Sequence, residues 1–441
     1  MNRVGAGEVE ALFREFGNDA WLELVFRHGK TFHVQQMMVT CDTRLVEQLM
    51  RDPAHTQRRP SSYRWLRRVT PGSDGLLFLD GPRYEVQHRA VAPTLTRDHV
   101  EQQAAVIHAA ALKWAQSCQG DVDLASAMIQ LGASIVLETS FGLDPSQPLA
   151  CEFARELIGY KQWSLPRDPR RRLDVLGLHA QLLLALPWLF ANFINLHQRV
   201  ARMRRLVAHL RAERPRCPMR RTNWLDGLAA EQLPLPELTD ALSHLYGAYN
   251  AVDFMVAAAL FELSRHPDWR ARIRSELAAV LGARPYPTSG DIPHLPLLWG
   301  AIKETLRLYP GSMGIIRHTG KPLEVDGERI PTGTQVLVLP YALHRHPEYW
   351  DEPQAFRPDR WSQSKRAHPP FAYIPFLIGP RKCMGQLQAQ LELLVRVSTI
   401  LRAADVDVDA DTAPITQFFV PRFAKDLPFR VRRLDIDKIA A

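Results

Sequence analysis

The chain has 441 residues, is 46% hydrophobic and carries 10 Trp, 10 Tyr and 18 Phe, enough apolar mass for a large packed core. Its formal charge is +8, but the arginines lie in scattered groups such as Arg67-Arg68, Arg170-Arg171-Arg172 and Arg204-Arg205, which reads as solvated helix faces, so no nucleic-acid partner is expected. Five widely separated cysteines (Cys41, Cys118, Cys151, Cys217, Cys383) with no C-x-x-C pair argue against a disulfide framework, a zinc module or thiol redox chemistry.

Met1 to Trp21 contains Arg3, Glu8, Glu10, Arg14, Glu15 and Asp19 and shows neither a signal-peptide core nor a spanning helix, so a cytoplasmic protein is expected. A strand pair is predicted near Phe32–Val39. After residue 95 helical periodicity dominates: Val100–Cys118, Leu124–Phe141, Arg199–Arg211, Glu237–Arg265, Asp268–Leu281 and Leu297–Leu308 all repeat apolar residues at three- and four-residue spacing. The apolar stretch 173–196 is interrupted by His179, Gln181 and Pro187, so it reads as a substrate-access element able to touch a lipid surface rather than as a span. Glu237–Arg265 is the longest segment, starts just after Pro236, and would run roughly 45 Å as one helix. Strands are predicted at Leu323–Val325 and Thr334–Leu339, with a hairpin turn at Asp326-Gly327, and further extended chain over Ile415–Val431. No repeat or low-complexity linker divides the sequence. The expected fold class is mainly α with small β-sheets (α+β), in one domain over 1–441 with a β-rich N-terminal lobe interleaved with a larger helical lobe.

Residues 376 to 385 read Phe-Leu-Ile-Gly-Pro-Arg-Lys-Cys-Met-Gly and run directly into the amphipathic segment Gln386–Leu401. A thiolate that ligates iron needs a depressed pKa, which the metal, nearby cations and a helix N-terminus can supply. Cys383 lies just ahead of a helix beside Arg381 and Lys382, Gly379 and Gly385 permit tight turns and close N–H approach, and Phe376 can shield the sulfur. A buried cysteine in a loop before a helix is the ordinary alternative for any single cysteine. The five positions F-x-x-G-x-R-x-C-x-G together weigh against it.

This segment resembles the haem-binding loop of the cytochrome P450 family, and the resemblance extends from about Val34 to Val431. It implies the cytochrome P450 fold, with a long helix over the haem, haem b (iron protoporphyrin IX) as cofactor and Cys383 as the iron ligand. It also implies an ion network of Glu304 and Arg307, in the sequence KETLRLYP, with Arg360 of the later FRPDRW segment. Propionate contacts carry over to Tyr84 and His88, Arg317 and Arg381; Phe376, Gly379 and Gly385 complete the cofactor-binding set. Here the chain departs from the usual His or Trp followed four residues later by Arg, having Tyr84 and His88 in those places.

Family members carry an acid and a threonine in the long helix, which help relay protons to dioxygen. Counting back from Pro267, this chain has Asn250 and Ala251 there; a shifted alignment offers Asp253 but no hydroxyl. Asn cannot titrate and Ala cannot hydrogen-bond, so the usual relay is missing.

The resemblance implies a soluble bacterial-type monooxygenase inserting one atom of O2 into a lipophilic small molecule of terpenoid, fatty-acid or polyketide type. Its pocket is expected from 61–78, 160–195, Tyr246–Phe254, Gly311–Ile316 and 417–420. Electrons would come from an external ferredoxin or flavodoxin drawn to Arg381 and Lys382. A monomer in secondary metabolism is expected. The alternatives are a hydroperoxide isomerase or dehydratase, or a peroxygenase, on the same fold, and a non-catalytic haem sensor.

Overall fold

The computed structural model describes residues 1–56, 75–118, 122–163, 178–212, 223–362, 368–416 and 421–434. Its helices are α1 (Ala6–Phe16), α2 (Ala20–His28), α3 (Thr43–Arg51), α4 (Gly81–Val91), α5 (Ala104–Ser117), α6 (Leu124–Phe141), α7 (Pro148–Trp163), α8 (Leu178–Ala212), α9 (Trp224–Ala230), α10 (Leu235–Arg265), α11 (Pro267–Leu281), α12 (Pro296–Leu308) and α13 (Gln386–Ala403), with a few single turns between them. The chain is mainly helical with small sheets, as its periodicity predicts.

Two compact units share the chain, and both are discontinuous in sequence. The first comprises Met1–Pro60, Leu95–Gly132 and Tyr249–Ala441; the second comprises Ser61–Thr94 and Ala133–Ala248.

In the first unit, strands β1 (Asn2–Val4), β2 (Thr31–Val34), β3 (Met37–Thr40), β8 (Gln335–Val338) and β5 (Ile315–His318) form one sheet in that spatial order, while β4 (Val122–Asp123), β12 (Pro428–Arg433) and β9 (Ala404–Val408) form another. The strand pair expected at 32–39 is β2 and β3, antiparallel with Phe32 opposite Val39. Strands β6 (Leu323–Val325) and β7 (Glu328–Ile330) form the Asp326-Gly327 hairpin. Both turn residues have positive φ, 51° and 76°, which a two-residue turn matching strand twist requires and which Asp-Gly tolerates. Segment 334–339 does not extend that hairpin. It is the strand β8, parallel to β3 and antiparallel to β5. Within the extended stretch expected at 415–431, β10 (Ile415–Thr416) pairs antiparallel with β11 (Arg422–Phe423).

The core of this unit is helical. Helix α13 packs on α5 and against α11 and α12, and Leu391, Leu393, Leu394, Val395, Val397 and Ile400 are each 1% exposed or less. Leu124–Phe141 is long and apolar enough to cross a membrane by composition, yet 67% of it is buried inside the protein, so it is a core helix. In the second unit, α9 crosses α4 so closely that a Cβ on Gly227 would sit 2.2 Å from the carbonyl oxygen of Ala90. Phe141 stacks edge-on against Phe153 and Trp224 there.

The N-terminal helices α1 to α4 have no counterpart among the predicted helices. They are short, of nine to eleven residues, and a short isolated helix is marginal without tertiary packing. Among the expected pocket segments, the described residues do not include 61–74, 164–177 or 417–420, and the side chains of 160–193, including most of 173–196, also lie outside them.

Candidate active site

The site is built around the turn between residues 374 and 385. The N–H of Cys383 donates to the carbonyl of Phe376 at 2.8 Å, and that of Lys382 to Gly379 at 3.1 Å, closing a compact loop ahead of α13. Leu377 and Gly379 take φ of +60° and +77°. Gly379 is required for a reason the sequence does not display: a Cβ there would lie 1.8 Å from the carbonyl oxygen of Met50 in α3. Gly379→Ala is therefore expected to displace the loop from α3, lowering stability by about 1–3 kcal/mol and weakening haem retention. A thermal melt with a haem titration checks this, and a variant indistinguishable from the parent would refute the packing argument.

Cys383 remains solvent-exposed, yet it is enclosed deeply enough that burial pushes its thiol above the ordinary cysteine range. The N–H of Gly385 opposes burial by hydrogen-bonding the sulfur. In the protein alone desolvation outweighs that one N–H. Phe376 is 8% exposed and lies at the base of the loop.

Glu304, Arg307 and Arg360, far apart in sequence, are brought together with 0%, 0% and 4% exposure. Glu304 accepts five hydrogen bonds: from Arg307 Nη2 at 2.7 Å and Nε at 2.9 Å, Arg360 Nε at 2.9 Å, Trp361 Nε1 at 2.9 Å, and the Arg357 N–H at 3.0 Å. One carboxylate faces two guanidinium groups, and the surplus positive charge is spread over carbonyls. Arg307 donates to His344, Pro353 and Ala355, and Arg360 to Asp351 and Glu352. The indole of Trp350 takes both guanidiniums over its ring, at 5.2 and 5.9 Å.

His344, which sequence reasoning did not single out, ties this cluster to the cysteine loop. Its carbonyl accepts from Arg307 at 2.8 Å, and its Nε2 accepts the N–H of Ile374 at 2.9 Å. Tyr373 packs on it, ring centroids 5.5 Å apart. Burial, then the charges of Arg307 and Arg345, hold the His344 ring well below its usual pKa of 6.5. A histidine kept neutral in the fold favours the native state fully above the unfolded pKa, and that advantage is lost as pH falls below about 6.5. Between pH 6.5 and 5 the melting temperature is expected to fall more steeply in the parent than in His344→Gln. Parallel slopes would remove the linkage.

Arg317 lies on β5, 3% exposed, opposite Val336. Tyr84 and His88 stand one turn apart on α4 in the second unit, both half-buried, with rings 5.4 Å apart. On α10, Asn250 is 2% exposed and its Oδ1 has no hydrogen-bond partner among the described residues. A Cβ on Gly311 would be 3.2 Å from Cβ of Ala251 and 3.6 Å from Sδ of Met255, so two of the expected pocket segments meet at that point. Asp253 does not supply the missing acid. It is 1% exposed and bound to Arg396 at 2.9 Å.

The family model for cytochrome P450 matches residues 230–425, which hold α10, the Glu304–Arg307–Arg360 cluster and the Cys383 loop. Over that segment the chain is similar to the cytochrome P450 family. Human cytochrome P450 3A5 is 34% identical over 158 residues, 36% of this chain and 32% of that protein. Human mitochondrial 25-hydroxyvitamin D-1 alpha hydroxylase is 37% identical over 191 residues, 43% of this chain and 38% of that one. The matched segments thus span about a third of these relatives' length. A crystal structure of a six-coordinated cytochrome P450 from Thermus thermophilus superposes with a TM-score of 0.71, covering 98% of this chain and 100% of that one at 21% identity. This is the cytochrome P450 fold.

That similarity implies a haem cofactor, and the residues present fit one. Cys383 is accessible, its loop is braced by a buried ion cluster, and the buried cation Arg317 lies in the same unit.

Proposed function

We propose that this protein is a haem-thiolate monooxygenase that places one atom of O2 in a lipophilic small molecule. An external protein, of ferredoxin or flavodoxin type, would supply two electrons, and the second oxygen atom leaves as water with two protons. The observation that carries the reading is Cys383, accessible at the end of a loop that is tied through His344 to the Glu304 cluster. Haem b, when bound, supplies the oxygen-activating redox chemistry that no side chain here can perform.

The chain's own residues have separate tasks in this reading. Cys383 donates sulfur to iron, with the Gly385 N–H oriented at the sulfur. Arg317 and Arg381 offer donors to the propionates. Asn250, whose buried Oδ1 is an unused acceptor, orients a water or a substrate hydroxyl, and Ala251 leaves room beside it. Positioned water is a physically adequate proton carrier where acid and hydroxyl are both lacking. A lipophilic substrate is supported by relatives named for hydroxylating 25-hydroxyvitamin D and lithocholate.

The test has two parts. The reduced carbon-monoxide complex should show the long-wavelength Soret band of thiolate-bound haem. Reduced nicotinamide, fed through a surrogate ferredoxin chain, should then be consumed in step with hydroxylated product from a panel of lipophilic compounds. Turnover of a fatty-acid hydroperoxide without reductant, and none with it, would replace oxygen insertion by rearrangement.

A further inference from the structure

Three helices of the first unit converge on a group of buried polar side chains that lies outside the cysteine loop and its ion cluster. From α10, the Tyr249 hydroxyl donates to Glu392 of α13. Gln388, one turn earlier on α13, donates to the same carboxylate at 3.0 Å. One turn later, Arg396 donates to Asp253 of α10 at 2.9 Å and to the carbonyl of Met128 in α6 at 3.2 Å, and its Nη1 lies 3.7 Å from Glu392. Exposure is 0% for Glu392 and Arg396, 1% for Asp253 and 4% for Tyr249. The space for Asp253 exists only because α6 has a glycine: a Cβ on Gly132 would lie 1.9 Å from its Oδ1.

Aliphatic packing would have joined these helices at lower cost, because burying an ion pair rarely adds net stability. What a charged, directional pair adds is register. Tyr249 and Asp253 are four residues apart, hence on one face of α10, and they grip Glu392 and Arg396, four apart on α13. Two tethers one turn apart fix both the rotation and the axial position of α10 between them. Asn250 and Ala251 lie inside that interval. Helix α13 in turn begins just after Gly385, two residues beyond Cys383, so one rigid helix joins the tethers to the cysteine loop.

We propose that Tyr249, Asp253, Glu392 and Arg396 are positioning residues that hold the Asn250–Ala251 turn of α10 at a fixed place relative to the cysteine-bearing segment. The inference rests on the haem-thiolate reading above. Asn250 and Ala251 face the reacting molecule, and the four residues behind them set where that face stands.

Imidazole binding to the ferric protein tests this without turnover, because the probe must fit between the iron and the α10 face. Tyr249→Phe deletes one oxygen and one tether while keeping the ring. The triple variant Asp253→Leu/Glu392→Gln/Arg396→Met removes the second tether together with every ionisable partner in it, so no charge is stranded. Both are expected to load haem with the parental thiolate spectrum, to melt within a few degrees of the parent, and to change imidazole affinity by about tenfold, the effect of an ångström-scale misplacement. They should also shift the ferric spin-state balance. Affinity and spin state within twofold of the parent in Tyr249→Phe would overturn the proposal and leave the cluster a packing feature. If the parent itself shows no thiolate-haem spectrum, the haem-thiolate reading has failed, and this inference with it.

Discussion

Cys383→Ser is expected to give a folded protein whose reduced carbon-monoxide complex lacks the thiolate band, and whose turnover falls by more than about 100-fold. That exceeds the 10- to 100-fold typical of losing a group that only supports a metal ligand. The fold should persist because the sulfur contributes little to packing: it is accessible, and its hydrogen bond comes from a backbone N–H that water can satisfy. Function should not persist, because a hydroxyl has no accessible deprotonated form near neutrality and is a poor soft donor. Absorption spectroscopy decides the matter together with a thermal melt. A variant with an unchanged spectrum would move the iron ligand elsewhere, and with it every role assigned around residue 383.

Glu304→Gln is expected to produce the largest loss of stability. The side chain keeps its shape, but two guanidinium groups, both almost wholly buried, lose their only carboxylate in this cluster. Removing one partner of a buried ion pair costs about 3–5 kcal/mol, because the remaining charge is stranded in low dielectric. The new amide also points an N–H2 where five donors already converge. Burial already pulls Arg307 below its ordinary pKa, and Glu304 is the group that counters it most. The loss should spread to the cofactor site through His344 and Ile374, so the melting temperature and haem occupancy are expected to fall together. Arg307→Lys should resemble it, since an ammonium cannot reproduce the two-pronged contact at 2.7 and 2.9 Å or reach three carbonyls at once. A Glu304→Gln protein with parental stability would show that the cluster is neutralised some other way.

Helix α6 was legible to the residue as Leu124–Phe141, and α10 to within two residues as Glu237–Arg265, because long apolar periodicity is a property of the local sequence. The Asp326-Gly327 turn was equally plain, since few residue pairs accept two positive φ values. The fate of 334–339 was not, because which strand it pairs with depends on β3, some three hundred residues earlier. The cysteine loop could be read from five fixed positions. The state of its thiol could not, because the desolvation that raises its pKa comes from protein brought around it by folding.

Asp253 shows the same limit. In sequence it is a candidate acid near a gap in the relay; in the fold it is bound to Arg396, 143 positions away, in a space left by Gly132. The sequence by itself determined the helical class, and it carried the resemblance to cytochromes P450 and the expectations of a ligand at Cys383 and of a missing acid-threonine pair, since each rests on residue types at short fixed spacing. Only the tertiary structure decided which charges are buried and paired, that Gly379 answers to Met50, and that His344 joins the ion cluster to the loop. Burial and pairing energies depend on neighbours that the chain brings together only by folding.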